Sequence, residues 1–548
     1  MEHINAPHKL LIYLDDRPKI GFFFWFCMGI FILFFFRPFQ QPLMFDRAFL
    51  VYMSQVVSRG DFLYDSTPFG YTPLSTIVVG YLMRAGQAFS LNTIEVARIT
   101  GIVCYGLCSG SIFLMCRALF KDQISPFIGA FLFCGIAFIP MIAGVNAEPK
   151  IWVLLGSVLG IYACIKGKWG WSGLWFSIAA MSWHVAVISV LATGLTILLT
   201  AKQYRWIGFF RFSFGVFMGT VPVLLYLWAT DGWIGFWDQA VVRKLVVEGK
   251  SLGDDPLFWM LEGSATLLTD VLHMVGGFLG FVWLLYIRFV RRESADPIRS
   301  RTIQDYLIIY TVLWAIFNTL EYQGAPDLIP LIPVLVVYVT LLLVRFRPRR
   351  RIYAYVFGGL LVLYNWFDAL TYSLPYTYQD QVATVQAVEK QYGSPFVIGH
   401  EAHYTVLERP MPTKFMRYWA YEDFLISREE GGCEAIKQQL LQGDYQYIVE
   451  YDVNRRVRSE ESLAIRNWLG LASESKKKNK SKKQKKKRKK QRQQRKEGRG
   501  RCAHELITSL TTEEEVGHFI IPIQSLPIGG NFYTDEYFSV LRIDSDLK

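Results

Sequence analysis

The segment 45–73, FDRAFLVYMSQVVSRGDFLYDSTPFGYTP, concentrates the side chains best suited to chemistry. Asp46 stands about ten residues beyond a long apolar run, and Arg47, Asp61, Tyr64, Asp65 and Tyr71 follow it. A carboxylate at that place is not needed to hold a helix in a membrane. Two readings are open: Asp is a favoured N-cap, so Asp46 starts the next helix, or it acts on a substrate. His184 lies at the centre of the apolar segment 170–199. An ionisable residue at membrane depth is costly and often functional; it can equally hydrogen-bond a neighbouring helix. His400, Glu401 and His403 have metal-ligand types, but their spacing at a strand end is not diagnostic. No CxxC or His/Cys cluster has metal-site spacing. Neither a metal nor a cofactor is expected.

These residues must be positioned by membrane helices. The chain of 548 residues is 52% hydrophobic and 19% charged, and its apolar residues are clustered. Stretches such as 21–36 and 327–344 have the length and near absence of charge that cross a bilayer, where about twenty apolar residues suffice. They must be helical, because lipid offers no partner to a free backbone N–H or C=O. Spans are expected near 20–36, 95–116, 124–143, 149–165, 206–229, 268–288, 305–320, 327–344 and 352–372. The segment 170–199 is too long for one upright helix and reads as a broken hairpin around His184. The total is about eleven crossings. The apolar run from Ile20 is too long for a cleavable signal peptide, and no small-residue cleavage site follows it.

Lys and Arg near the span ends fall on one side only if 170–199 crosses an even number of times, and that side is then cytosolic. The outer loops 37–94 and 230–267 and everything after 373 share the opposite, extracytoplasmic side. Residues 37–94 read as two amphipathic helices on the membrane, near 45–58 and 73–88. Gly106/Gly110, Gly156/Gly160 and Gly215/Gly219 are spaced for close helix packing. The expected fold is mainly α: a polytopic transmembrane helix bundle, 1–372, with a C-terminal extracytoplasmic α/β domain, 373–548.

The net charge of +12 belongs to one tract. Residues 476–501 hold 17 Lys or Arg and one Glu, which leaves the rest of the chain at −4. The region 474–502 lacks the apolar residues needed to offset ordering entropy, so a disordered insertion is expected. An extracytoplasmic place excludes nucleic acid as its partner. Six cysteines lie in apolar segments as small hydrophobes. Cys433 and Cys502 lie in the polar C-terminal region and can pair if it is extracytoplasmic.

The order Asp46, Tyr52, Gly60, Asp61, Tyr64, Asp65, then the aromatic turn with Tyr71 and Pro73, resembles the first outer loop of the GT-C glycosyltransferases. That class includes the protein O-mannosyltransferases, the bacterial aminoarabinose transferases and other polyprenyl- or dolichyl-phosphate-sugar enzymes. The resemblance continues through Asn146-Ala147-Glu148-Pro149 and through 324–333 (GAPDLIPLIP), covering roughly residues 20–372. Arg47 departs from the acid that many relatives carry there, and Thr72 and His184 each depart from a lysine that some carry.

The resemblance implies that Asp46 is the catalytic base of an inverting transfer of a hexose-type sugar, mannose for example, from a polyprenyl-phosphate donor to an extracytoplasmic acceptor. A positioned carboxylate that takes the acceptor's proton contributes roughly 10²- to 10⁴-fold. The departing phosphate needs cations, and Arg47, Lys150, His184, Arg243 and Lys244 are the candidates; each has the plainer reading of a snorkelling or loop charge. Glu148 either orients the acceptor or Arg47, or caps the next helix. Tyr64, Asp65 and Tyr71 complete the expected substrate site. The implied partners are the lipid-linked sugar, a glycan, lipid or protein acceptor, and membrane lipid. The implied location is a prokaryotic plasma membrane, with the endoplasmic reticulum as the alternative. A transporter or lipid flippase is the rival reading; it predicts internal repeats and paired broken helices, and only one broken segment is legible.

Overall fold

The structure is a computed structural model. It describes residues 16–43, 45–64, 69–136, 138–145, 148–200, 205–242, 271–291, 298, 300–321, 325–345, seven positions within 356–366, 377–398, 401–412, 431–443, 445–451, 457–458, 501–522 and 533–543. Contacts group the described residues into two units: 16–39, 53–64 and 69–366 in the first, 40–52 and 377–543 in the second. The sequence suggests that all of 37–94 belongs to the helical module. Residues 40–52 instead group with the C-terminal unit.

Helices dominate the chain up to Arg345. They are α1 (Pro18–Phe34), α2 (Phe45–Arg59), α3 (Leu74–Gln87), α4 (Thr93–Leu119), α5 (Ser125–Cys134), α6 (Phe138–Val145) and α7 (Pro149–Ile165). Then come α8 (Trp169–Ser182), α9 (Val187–Thr200), α10 (Arg205–Ala229), α11 (Trp233–Phe236), α12 (Val271–Tyr286), α13 (Arg301–Glu321) and α14 (Ile332–Arg345). Local sequence explains several boundaries. Pro18 and Pro149 open α1 and α7, where the missing N–H costs nothing. Asn92 and Glu95 close a capping box on α4: the Asn92 side chain accepts the Ile94 N–H at 2.8 Å, and Glu95 accepts the Asn92 N–H.

Among the described residues, Thr93–Leu119, Arg205–Ala229 and Leu328–Arg345 are long and apolar enough to cross a membrane, and five shorter apolar helices accompany them. On α10 the exposed residues Trp206, Phe210, Phe214, Phe217, Leu225 and Trp228 recur at helical spacing. Such a stripe suits lipid rather than water. Small residues let the helices approach. A Cβ on Gly215 would press on the Gly170 carbonyl and lie 2.9 Å from the Leu174 nitrogen; one on Gly156 would lie 2.7 Å from the Trp175 carbonyl; one on Gly110 would lie 2.7 Å from the Phe22 ring. The glycine pairs therefore serve packing, as their spacing suggests.

The segment 170–199 is broken as expected. α8 ends at Ser182, a 3₁₀ turn covers His184–Ala186, and α9 follows. Two expectations change. The span read at 124–143 is two helices separated at Gly135, because Pro140 falls in the first turn of α6, where proline is tolerated, instead of inside one long helix. Helix α2 is not a surface helix with one wet face: every residue from Ala48 to Ser58 is buried. Most of 352–372 lies outside the described residues.

The second unit contains α15 (Tyr378–Tyr392), β1 (Phe396–Ile398), α16 (Glu401–Leu407), α17 (Gly432–Gln442), β2 (Tyr447–Tyr451), β3 (Val457–Arg458), α18 (Arg501–Leu510), β4 (Thr511–Pro522) and β5 (Tyr533–Ile543). Strand β1 pairs parallel with β2, and β2 pairs antiparallel with β5 from Tyr447↔Arg542 to Tyr451↔Phe538. Strand β3 continues along the same edge of β5, and β4 covers the other. The core joins this sheet to α17 and α18 through Phe396, Ile398, Ile436, Leu440, Ile448, Leu506, Leu510 and Leu541. Cys433 and Cys502 form a disulfide that ties α17 to the start of α18. The basic tract, residues 474–500, lies outside the described residues.

Candidate active site

Asp46 is the second residue of α2 and so stands inside the first turn, not at the flanking cap position. Its segment is held from both sides by the second unit. The Tyr378 N–H donates to the Gln40 carbonyl at 2.8 Å. The Gln381 amide brackets Leu43, accepting its N–H at 2.9 Å and donating to its carbonyl at 2.6 Å. Beyond Asp46, Thr405 donates to the Ala48 carbonyl at 3.1 Å, and the Met411 N–H donates to the Tyr52 hydroxyl at 2.8 Å. Arg47 is half-buried.

In the first unit, the loop after α2 turns at Gly60, whose φ of +96° favours glycine, and Asp61 there lies 3.8 Å from Arg59. The loop is then braced against 226–242. The Tyr226 hydroxyl accepts the Leu63 N–H at 2.9 Å. Gln239 spans the loop: its amide nitrogen donates to the Tyr64 carbonyl at 2.9 Å and its oxygen accepts the Phe69 N–H at 2.7 Å. The Tyr64 hydroxyl donates to the Tyr71 carbonyl at 2.6 Å, and its ring meets Phe69 and Phe236. Burial, with Tyr226 nearby, pushes the Tyr64 phenol well above its ordinary range. Tyr64 therefore serves here as a neutral brace. Tyr71 is half-buried beside Phe69, at 5.7 Å between ring centres.

Glu148 occupies the cap position of α7 but makes no capping bond with its side chain. The carboxylate is buried and takes the Lys150 ammonium at 3.2 Å. The pair sets an ammonium at the head of an apolar helix. His184 sits in the 3₁₀ turn between α8 and α9, its ring 6.5 Å from that of Trp183. Thus Glu148 joins Lys150, and Tyr64 joins Tyr71. Asp65, Arg243 and Lys244 lie outside the described residues, as do Asn146, Ala147 and His400; the Gln239 brace ends four residues before Arg243.

Gln239, Tyr226 and Gln381 carry much of this geometry, and sequence reasoning missed all three. The one available signal was an amide inside an apolar setting, as in 237–242 (WDQAVV). Arg98 was missed too: it is buried on α4 and donates to the Phe39 carbonyl at 2.6 Å. His403, considered above as a possible ligand, is engaged by Glu389 at 2.9 Å.

No protein-family model and no curated protein matches the sequence. Solved structures do. ArnT from Cupriavidus metallidurans bound to undecaprenyl phosphate aligns with a TM-score of 0.53 at 12% identity, over 82% of this chain and 95% of that one. The chain shares the fold of that structure. The apo state of the same ArnT gives a TM-score of 0.50 at 10% identity, with the same coverage of both chains. AglB from Archaeoglobus fulgidus, an archaeal oligosaccharyltransferase in complex with an inhibitory peptide and a dolichol-phosphate, gives 0.46 at 11% identity, over 78% of this chain and 69% of that one.

Proposed function

We propose that the protein is an inverting glycosyltransferase that moves a hexose-type sugar from a polyprenyl monophosphate to an acceptor outside the cytoplasm. The observation that carries this reading is the GT-C fold itself: the chain aligns with nearly the whole of an ArnT crystallised with undecaprenyl phosphate. Asp46, in the first turn of the helix that follows the first apolar helix, is the general base. It removes the acceptor hydroxyl proton as the oxygen attacks the anomeric carbon, and the polyprenyl phosphate leaves from the opposite face. Cations aimed at that phosphate stabilise the charge it gains, at roughly 3–4 kcal/mol for one well-placed donor. Lys150, paired with Glu148, is one candidate. Arg47, His184, Arg243 and Lys244 are the further candidates. Asp65 and Tyr71 are further candidates for the substrate site.

The Cys433–Cys502 disulfide supports an extracytoplasmic second unit, since such bonds persist in oxidising compartments. A prokaryotic plasma membrane is the proposed location.

The test uses the full chain in its native membranes, which supply the acceptor. Undecaprenyl-phosphate-linked mannose, glucose and aminoarabinose are added, and release of undecaprenyl phosphate is followed by mass spectrometry. Asp46→Asn should lower release by roughly 10²- to 10⁴-fold at unchanged protein level. Undiminished release by this variant would remove Asp46 as the base, and release from none of the three donors by the unaltered protein would refute the reading.

A further inference from the structure

The C-terminal unit holds the segment that carries the proposed base more tightly than an accessory domain needs to. Leu43 lies three residues before Asp46, is fully buried, and has no helix partner for its backbone. Gln381, itself buried, satisfies both its N–H and its carbonyl, as a neighbouring strand would. A buried backbone group stripped of its partner costs about 1–3 kcal/mol, so this bracket fixes the chain where α2 begins.

The bracket is itself rigidly mounted. Thr377 and Asp380 cap α15 reciprocally, which fixes the turn from which Tyr378 reaches Gln40 and Gln381 reaches Leu43. Tyr378 and Gln381 are three apart on the helix and so share a face. The hydrogen bond between Glu389 and His403 then links α15 to α16, from which Thr405 holds the Ala48 carbonyl. Asp46 therefore stands between two pinned points, Leu43 and Ala48, both fastened to one small body.

The geometry points to Gln381 as a positioning residue for the transfer: it sets the place of the first turn of α2 and, through it, of the carboxylate of Asp46. This rests on the reading of Asp46 as base. In this role Gln381 acts through Asp46 and not by touching donor or acceptor. Its loss should lower turnover and leave donor binding intact, because a shift of about 1 Å in a reacting group can cost 10²-fold.

The experiment compares Gln381→Leu, Gln381→Glu and Asp46→Asn in full-length protein, using the undecaprenyl-phosphate sugar that the unaltered protein turns over fastest. Gln381→Leu removes both hydrogen bonds; about a 10²-fold loss of kcat with KM retained is expected. Hydrogen exchange should quicken at Leu43–Tyr52 and stay unchanged along α4. Gln381→Glu keeps the shape. As a neutral acid it can both accept and donate, and once ionised it loses the donor. Its kcat should recover as the pH is lowered, relative to the unaltered protein.

If Asp46→Asn is inactive while Gln381→Leu keeps its kcat, the positioning role is overturned and the base stands. If Asp46→Asn stays active, the base falls and this role falls with it. If Gln381→Leu loosens exchange throughout the chain and Gln381→Glu shows no recovery in acid, Gln381 serves only the fold and the proposal is wrong.

Discussion

Glu389 and His403 face each other at 2.9 Å between helices α15 and α16. The other Glu389 oxygen accepts from Arg409 at 2.6 Å and from Ser394 at 2.9 Å. The hydrogen bond from His403 is the largest cause, and these neighbours together hold the carboxyl down at about 2, against an ordinary value of 4.5. A depressed carboxyl lends stability that is complete above its unfolded-state value and disappears as pH falls through the folded one. The contribution of Glu389 should therefore be constant at neutral pH and fade between about pH 4.5 and 2. Thermal unfolding of the second unit, followed across that range, checks it. Glu389→Gln should lower the midpoint at neutral pH and flatten this part of the acid dependence; an unchanged profile would count against the pair.

Gln239 makes a second measurable contribution. Gln239→Leu removes the hydrogen bonds to the Tyr64 carbonyl and the Phe69 N–H, at about 1–3 kcal/mol each. Chymotrypsin should then cut at Tyr64, Phe69 or Tyr71 in protein that otherwise keeps its helices. Resistance equal to that of the unaltered protein would show that the brace is dispensable.

Helix contact through glycine predicts an asymmetry. Gly215→Ala forces a methyl group onto the Gly170 carbonyl, backbone that cannot move aside cheaply, whereas nothing lies within 4 Å of a Cβ at Gly60. Overpacking costs about 1–3 kcal/mol. Gly60→Ala carries only the backbone penalty of its positive φ, about 1–2 kcal/mol. Size-exclusion profiles in detergent after heating should separate them: Gly215→Ala aggregates first, and the reverse order would sink the packing argument.

The disulfide gives a prediction about compartment. Tryptic digestion of protein from native membranes cuts repeatedly within 476–501, yet the peptides holding Cys433 and Cys502 should stay joined until reduced. Cys433→Ser should cost about 2–5 kcal/mol of stability. Free alkylatable thiols at both positions would put the unit in a reducing compartment.

The helices were legible because lipid leaves an apolar run few alternatives. The start of α7 at Pro149 agrees with the span expected at 149–165. The break at Gly135 was not legible, since glycine and proline also occur inside membrane helices. Helix α2 looked half-wet because of Ser54, Gln55 and Ser58. Inside the fold Gln55 donates to Thr93 at 2.9 Å and Ser58 to the Gln55 carbonyl at 2.8 Å. For the site, Glu148 and Lys150 could be suspected separately, but their pairing depends on how α7 begins. Gln381 carried no local sign at all. Its role exists only once distant stretches of chain meet, which no window of sequence reports.

That meeting sets an order in time. Leu43 and the amide that brackets it are separated by 338 positions. At about 5–20 residues per second, the ribosome needs on the order of 20–70 s to pass from one to the other. Throughout that interval the start of α2 lacks its bracket, while the apolar helices are already being threaded into the bilayer. On the role proposed for Gln381, a nascent chain stays idle until α15 has emerged, and a polypeptide truncated before Gln381 would be inserted but never competent.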